Sequence, residues 1–185
     1  GPSVALYLCS AEIKVRRREW AGALSELYRV GETEWQTRFY HLRAEARLGL
    51  GEDAGALIDL DRVIELAPTD AIAFERRAWL KGKRNDVDGG LADVEKALAL
   101  GGERIASFVT RGNLFLHKDE CARALDDFDR AVKMIGEKVP PALFASRASA
   151  KSSLGDYHGA ELDYSAALRL DPENGEFYFY RARSE

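Results

Sequence analysis

The sequence predicts an all-α fold, a solenoid in which helical hairpins stack on one another. An aromatic residue recurs with a step of about 34 residues, and its positions are Tyr7, Tyr40, Phe74, Phe108, Phe144 and Tyr178. A small residue keeps nearly the same step further along each unit, at Ala23, Ala56, Gly90, Ala124 and Ala160. Apolar residues inside each unit follow helical spacing. Such a period is typical of helical solenoids, whose units bury their apolar faces against their neighbours.

The clearest unit runs from Pro141 to Pro172. Two helical patterns meet at Gly155, and Pro172 cannot continue the second helix because it has no backbone N–H. Ala148 and Ala160 are small where two helix backbones need to approach closely. The unit is therefore predicted to be a helix–turn–helix hairpin.

These offsets resemble the motif of the tetratricopeptide repeat (TPR), which combines aromatic, small, turn-glycine and proline positions. The resemblance covers almost the whole chain and implies a right-handed superhelix of five hairpins plus one unpaired helix. The predicted repeats are residues 4–36, 37–70, 71–104, 105–140 and 141–174, with an incomplete repeat at 175–185. Residues 1–3 are interpreted as the remnant of a cleaved tag. Because the last repeat lacks its second helix, we expect the chain to be a piece of a longer protein.

The individual hairpins differ from the ideal motif in a few places. The first has Arg18 at its turn instead of glycine and ends in the connector 31–34. The second is close to ideal, and the third has a glycine-containing middle, 81–90. In the fourth, Val139 and Pro140 lengthen the connector, which leaves Pro141 well placed as a first helical residue.

Composition narrows the range of functions. Lys and Arg number 27 against 31 Asp and Glu, a net charge of −4, which disfavours a nucleic-acid surface. No apolar run approaches the roughly 18 residues of a membrane span, and no signal peptide is visible. Cys9 and Cys121 lie in distant repeats, so a mutual disulfide is not expected and a reducing, cytoplasmic location is the simplest prediction.

A charge pair recurs in successive copies. Arginine precedes the small residue of the first helix at Arg43, Arg77, Arg111, Arg147 and Arg181. An acid recurs in the second helix at Glu26, Asp59, Asp93, Asp127 and Asp163. We expect these groups to meet, either within a hairpin or through the neighbouring repeat. A feature present in every copy is interpreted as part of the scaffold rather than as a functional site.

Nothing in the sequence predicts catalysis, a cofactor or a metal site. The segment 84–95 partly matches a calcium-binding EF-hand loop, but Arg84 occupies the first ligand position, where a carboxylate is needed. Cys9 and His41 could approach each other across neighbouring first helices. However, no third group is visible that would orient the imidazole, so a catalytic thiol is not expected.

A binding groove is what the resemblance implies instead. In TPR proteins the first helices line a concave face that holds extended peptides or helices. Carrying that register over gives the predicted groove residues Arg38, His41, Glu45, Ile72, Arg76, Trp79, Val109, Asn113 and Leu116. We expect the main contact between the second and fourth copies, since Trp and Arg are enriched among binding hot spots. The alternative for Trp79 is simple packing between helices.

The predicted function is a non-catalytic, co-chaperone-like scaffold that binds a protein or peptide, with no nucleic-acid or membrane partner. Two alternatives stay open: an RNA-binding repeat similar to pentatricopeptide repeats, and a regulatory module of an enzyme encoded elsewhere in the full-length chain. The clamp that some TPR domains use for chaperone tails ending in Glu-Glu-Val-Asp is not expected. Only Asn113 fits that clamp, and its partner positions are Ala142 and Ser146.

Overall fold

The structure is a computed structural model that describes residues 3–30, 36–101 and 104–183. Within these ranges the chain forms eleven helices and no strand, which confirms the predicted all-α class. The helices are α1 Val4–Arg16, α2 Trp20–Tyr28, α3 Gln36–Leu50, α4 Asp53–Leu66, α5 Ala71–Lys83, α6 Val87–Gly101, α7 Ile105–His117, α8 Cys121–Ile135, α9 Pro141–Ser153, α10 Tyr157–Leu170 and α11 Gly175–Ala182. The predicted connector 31–34 and residues 1–2 of the predicted tag remnant lie outside the described residues.

The helices pair in chain order. Each odd-numbered helix from α1 to α9 packs against the even-numbered helix that follows it, and each even-numbered helix packs against the next odd-numbered one. Odd-numbered helices also contact each other across repeats, as α1 with α3, α5 with α7 and α7 with α9. The odd-numbered helices therefore share one face of the stack.

Each of the five hairpin turns contains one residue in the left-handed region of backbone space. These residues are Arg18, Gly51, Asn85, Asp119 and Gly155, with φ between 57° and 84°. Glycine adopts this conformation without a Cβ clash, and Asn and Asp tolerate it better than other residues do. Arg18 occupies the predicted turn position of the first hairpin, and its side chain has no such advantage.

Small residues let the helices of a hairpin approach closely. Ala44, Ala78 and Ala148 in the first helices are completely buried, as are Ala56 and Ala160 in the second helices. Gly112 occupies the corresponding place in α7, where an added Cβ would lie only 2.6 Å from the ring of Phe128. The small residues that recur in the sequence therefore mark the positions at which the two helix backbones of a hairpin pack closely.

Across the described ranges, every helix falls short of the length or the apolar content that crossing a membrane requires.

Candidate functional site

The recurring Arg and Asp residues meet inside their own hairpins. Arg111 donates two hydrogen bonds of 2.7 Å to Asp127, from Nε and Nη2. The same fork-shaped contact joins Arg77 to Asp93 and Arg147 to Asp163, with Arg43 and Asp59 making the fourth pair. All four carboxylates are almost completely buried. Of the two arrangements left open by the sequence, the contact within the hairpin is the one that the structure has.

A second cation, which the sequence analysis missed, shares most of these carboxylates. It lies four residues after the arginine: Arg47 is 2.8 Å from Asp59, Lys81 is 2.8 Å from Asp93, and Lys151 is 2.9 Å from Asp163. In the first hairpin Lys14 contacts Glu26 at 2.5 Å. The signal was the recurrence of a basic residue at this position in four of the five copies, interrupted by Phe115 in the fourth.

Some arginines of these pairs also reach the preceding repeat. Nη1 of Arg77 donates to Asp61 of α4 over 2.7 Å, and Nη1 of Arg147 donates to Asp129 of α8 over 3.0 Å. The guanidinium group therefore links the two helices of its own hairpin and also bonds the preceding hairpin. We interpret these contacts as structural.

Three cavities lie along the face formed by the odd-numbered helices, among the residues that the structure describes. The α1–α3 cavity has a volume of about 560 Å³ and is lined by residues that include Glu12, Arg38, His41 and Glu45. The α5–α7 cavity, of about 380 Å³, is lined by Trp79, Gly82, Lys83, Thr110, Asn113, Leu114, Leu116 and His117. The α9–α11 cavity, of about 390 Å³, is lined by serine and tyrosine side chains and by Arg183. Six of the nine predicted groove residues are thus divided between the first two cavities.

The charged groups of the α1–α3 cavity are already engaged with each other. Arg38 and Arg16 both donate to Glu12, and the hydrogen bond from Arg38 lowers the pKa of that carboxyl group. Nε2 of His41 lies 2.6 Å from a carboxylate oxygen of Asp70. Glu45 accepts a hydrogen bond of 3.0 Å from Arg76. A charged ligand would have to compete with these internal partners.

Asp70 connects this region to the next repeat. Burial favours its neutral form, but the backbone N–H of Ala73, 3.0 Å away, and the ring of His41 outweigh burial, so the pKa of Asp70 is lowered. The carboxylate caps the start of α5 and holds His41 at the same time. Asp70 is the orienting group for the imidazole that the sequence analysis did not find. Cys9 contacts Arg38.

The α5–α7 cavity differs because, although its Lys83 pairs with Asp53 at 2.5 Å, two of its neutral polar side chains make no such contact among the described residues. Trp79 is 47% exposed and forms a wall of the cavity, so it is not packed between helices. Leu114 and Leu116 supply apolar surface, and Gly82 has no Cβ that would collide with Leu114. Within the described part of the chain, the Asn113 amide and the Thr110 hydroxyl make no side-chain hydrogen bond. This cavity can therefore accept an apolar group and bond the polar atoms beside it.

Three predicted groove residues lie elsewhere. Arg76 lines neither cavity and is held by Glu45, Ile72 is an exposed side chain outside both, and Val109 packs against the core around Phe108. The structure therefore does not bring Arg38 and Arg76 together with Trp79 in one cavity, because the arginines pair with acids of the preceding repeat instead.

The segment that partly matches a calcium loop has other roles. Asn85 forms the turn, Asp86 accepts the backbone N–H of Gly89 at the start of α6, and Asp88 bonds Lys118 of the next repeat at 2.8 Å. In the described ranges, no cluster of three or more His, Cys, Asp or Glu side chains is arranged to hold a metal ion.

The fifth hairpin matches the sequence model of a known family. Residues 142–174 match the model described as Tetratricopeptide repeat. Over 103 residues the chain is 33% identical to Tetratricopeptide repeat protein 36 of Bos taurus, a match that covers 54% of this chain and 55% of the relative. The chain thus spans about half the length of the curated relatives it matches.

Solved structures share the superhelix. A tetratricopeptide repeat protein from Parabacteroides merdae is 18% identical with a TM-score of 0.76, and the match covers 100% of this chain and 73% of that one. TTC0263, a thermophilic TPR protein of Thermus thermophilus, is 15% identical with a TM-score of 0.69 and 98% coverage of both chains. Identities this low show the fold alone, which confirms the predicted right-handed solenoid. The fifth hairpin thus matches the tetratricopeptide repeat model, and the chain is similar in sequence over about half its length, and in fold over its whole length, to tetratricopeptide repeat proteins.

Proposed function

We propose that this chain is a non-catalytic scaffold that binds a peptide or helix of a partner protein, and that the α5–α7 cavity holds an apolar side chain of that ligand. Tetratricopeptide repeats generally act as protein-interaction scaffolds. The observation that carries the proposal is the contrast between the two cavities. The α1–α3 cavity is lined by charges that are already paired, whereas the α5–α7 cavity presents an exposed indole beside the Thr110 hydroxyl and the Asn113 amide, which make no side-chain hydrogen bond among the described residues.

The shape and chemistry of the α5–α7 cavity favour a large apolar anchor. A volume of about 380 Å³ is enough for an aromatic or long aliphatic side chain. Trp79 supplies a broad, rigid contact surface at small cost in side-chain entropy. The Asn113 amide both donates and accepts, which suits the backbone amide of an extended segment. Because the odd-numbered helices are fixed by the ion pairs of their hairpins, the receptor loses little freedom on binding.

A peptide selection tests this proposal directly. A phage-displayed library of random peptides is panned on the wild-type protein, and the enriched peptides are measured by calorimetry. We expect them to share an apolar residue and to lose about tenfold or more in affinity on Trp79→Ala, the size of effect that a hot-spot aromatic gives. The matched control is Tyr28→Ala, which removes an exposed aromatic from the second helix of the first hairpin.

Two outcomes would contradict the proposal. One is that no peptide is enriched, or that the enriched peptides bind the Trp79→Ala variant as tightly as they bind the wild type. The other is tight, strongly salt-dependent binding of a single-stranded RNA oligonucleotide, which would favour the RNA-binding alternative instead.

A further inference from the structure

The α9–α11 cavity has a chemistry unlike that of the other two cavities on the same face. Ser149, Ser152 and Ser153 lie on one side of α9 at helical spacing and form one wall. Tyr164 of α10 and Arg183, which ends α11, also line the cavity. Among the described residues that line it, none carries a carboxylate. The cavity therefore combines hydroxyl groups with a single cation.

Tyr164 shows that the cavity is built rather than incidental. Its side chain is only 4% exposed and packs against Ala148 and Ala160. The phenol nevertheless lines the cavity, and its hydroxyl has no hydrogen-bond partner among the residues described. Burial, reinforced by Tyr180, raises the pKa of Tyr164, so the phenol keeps its proton at neutral pH and can donate it. The phenol can therefore donate a hydrogen bond to a ligand oxygen at the cavity wall.

Arg183 supplies the charge. Its guanidinium lies 5.7 Å from the ring centre of Phe179, and no Asp or Glu within the described ranges pairs with it. The nearby cation Lys151 differs, because it is committed to Asp163. As far as the described residues go, this guanidinium is therefore available for an anion that enters the cavity.

The carbonyl groups at the C-terminus of a helix repel an anion, but those of α9 do so less strongly than unpaired carbonyl groups would. The last carbonyl groups of α9 accept hydrogen bonds from the turn: Gly155 donates to Ser152, and Asp156 donates to Lys151. Satisfied carbonyls direct less negative potential into the cavity than unpaired ones do. The exposed groups at this end are then the serine hydroxyls.

We propose that the α9–α11 cavity binds a phosphoryl group, with Arg183, the Tyr164 hydroxyl and the serines of α9 as its donors. The number of donors decides between oxyanions. Arg183 offers two parallel N–H donors, and the hydroxyl groups of three serines and three tyrosines line the cavity with it. A carboxylate has two oxygens to share among these donors, whereas a phosphoryl group has three oxygens in a tetrahedral arrangement and satisfies more of them. The phosphoryl group belongs either to a phosphorylated side chain or to free phosphate.

The test is a titration followed by ¹H–¹⁵N NMR at constant ionic strength. The probes are inorganic phosphate, acetate, and the blocked tripeptides Gly-phosphoserine-Gly and Gly-Ser-Gly. We expect phosphate and the phosphorylated tripeptide to shift the amide signals of Ser149, Ser152 and Ser153, while acetate and the unmodified tripeptide do so far more weakly. Tighter binding of the phosphorylated tripeptide identifies a side chain as the source, and equal or tighter binding of phosphate identifies the free ion.

Two variants make the result specific. Arg183→Gln should weaken phosphate binding about tenfold or more, and Tyr164→Phe by about fivefold, as expected for a charged and a neutral hydrogen bond. The matched control Arg169→Gln removes an exposed arginine of α10 that does not line the cavity. Absence of site-specific shifts, equal losses in Arg183→Gln and Arg169→Gln, or equal binding of acetate would overturn the proposal. The titration does not depend on the α5–α7 cavity, so its result is separate from that of the peptide selection.

Discussion

At the scale of single residues, the fourth hairpin has the simplest ion pair. Asp93 accepts from both Arg77 and Lys81, whereas Asp127, which is 2% exposed, has Arg111 as its cation and Phe115 in place of the second one. Arg123 lies over the Phe115 ring at 3.9 Å, so this position has become an aromatic contact. The stability of the buried Asp127 carboxylate therefore depends on one guanidinium group.

This difference predicts unequal costs of substitution. Arg111→Leu should lower the free energy of unfolding by about 3 kcal/mol, since it leaves a buried carboxylate unpaired. The double substitution Arg111→Leu with Asp127→Leu should cost less than Arg111→Leu alone. Arg77→Leu is the matched control and should cost less, because Lys81 remains beside Asp93. Urea unfolding of these three variants and of Asp127→Leu measures these values, and additive losses at Arg111 and Asp127 would contradict the prediction.

The recurrence of residues determines which side-chain contacts could be predicted from the sequence alone. The Arg111–Asp127 type of pair was predictable because both members are present in successive copies. The Arg76–Glu45 and His41–Asp70 contacts were not, because each joins α3 to α5 or to its N-cap residue. Both contacts depend on the stacking angle, which a period of about 34 residues does not specify. The groove register grouped Trp79, Asn113 and Arg76, whereas in the structure Trp79 and Asn113 line one cavity and Arg76 lies outside it, bonded to Glu45.

At the scale of the helical hairpin, the turns differ although their backbones are alike. Gly51 and Gly155 adopt positive φ freely, whereas Arg18 has a φ of 59° with a full side chain. The sequence indicated that Arg18 occupies the turn position. Only the backbone shows that it adopts the glycine-like conformation in spite of its Cβ.

The turns therefore predict opposite effects of two exchanges. Arg18→Gly should raise the free energy of unfolding by about 0.5–1 kcal/mol, because relief of the left-handed strain exceeds the added entropy of the unfolded chain. Gly155→Ala should lower it by a similar amount at the equivalent turn. Thermal unfolding followed by circular dichroism provides the measurement. A destabilised Arg18→Gly variant would show that the arginine side chain contributes more than its backbone costs.

At the scale of the whole molecule, the face of the odd-numbered helices is largely neutralised before any ligand arrives. Arg38 and Arg76, the two cations predicted for the groove, bond Glu12 and Glu45. A clamp for two ligand carboxylates needs cations and amides without partners on successive first helices. Asn113 is the residue that fits, and α9 presents Ala142 and Ser146 at the partner positions.

We therefore predict no measurable affinity for a chaperone tail peptide ending in Glu-Glu-Val-Asp. Isothermal calorimetry at low salt is the appropriate measurement, because screening weakens an electrostatic clamp. Micromolar binding that weakens as salt is raised would contradict the prediction and the groove register with it.

The three cavities occupy corresponding places between alternate pairs of odd-numbered helices, so cavities of unlike chemistry follow one another along this face. When one part of a flexible ligand is bound in one cavity, its second binding group is present near the next cavity at an effective concentration on the order of millimolar, provided that the linker spans the distance. Two contacts that are each weak can then give a tight complex without any further contact. Such avidity would make recognition depend on the separation of an apolar residue and a phosphoryl group along the ligand, and removal of the phosphate would release the ligand from both cavities at once.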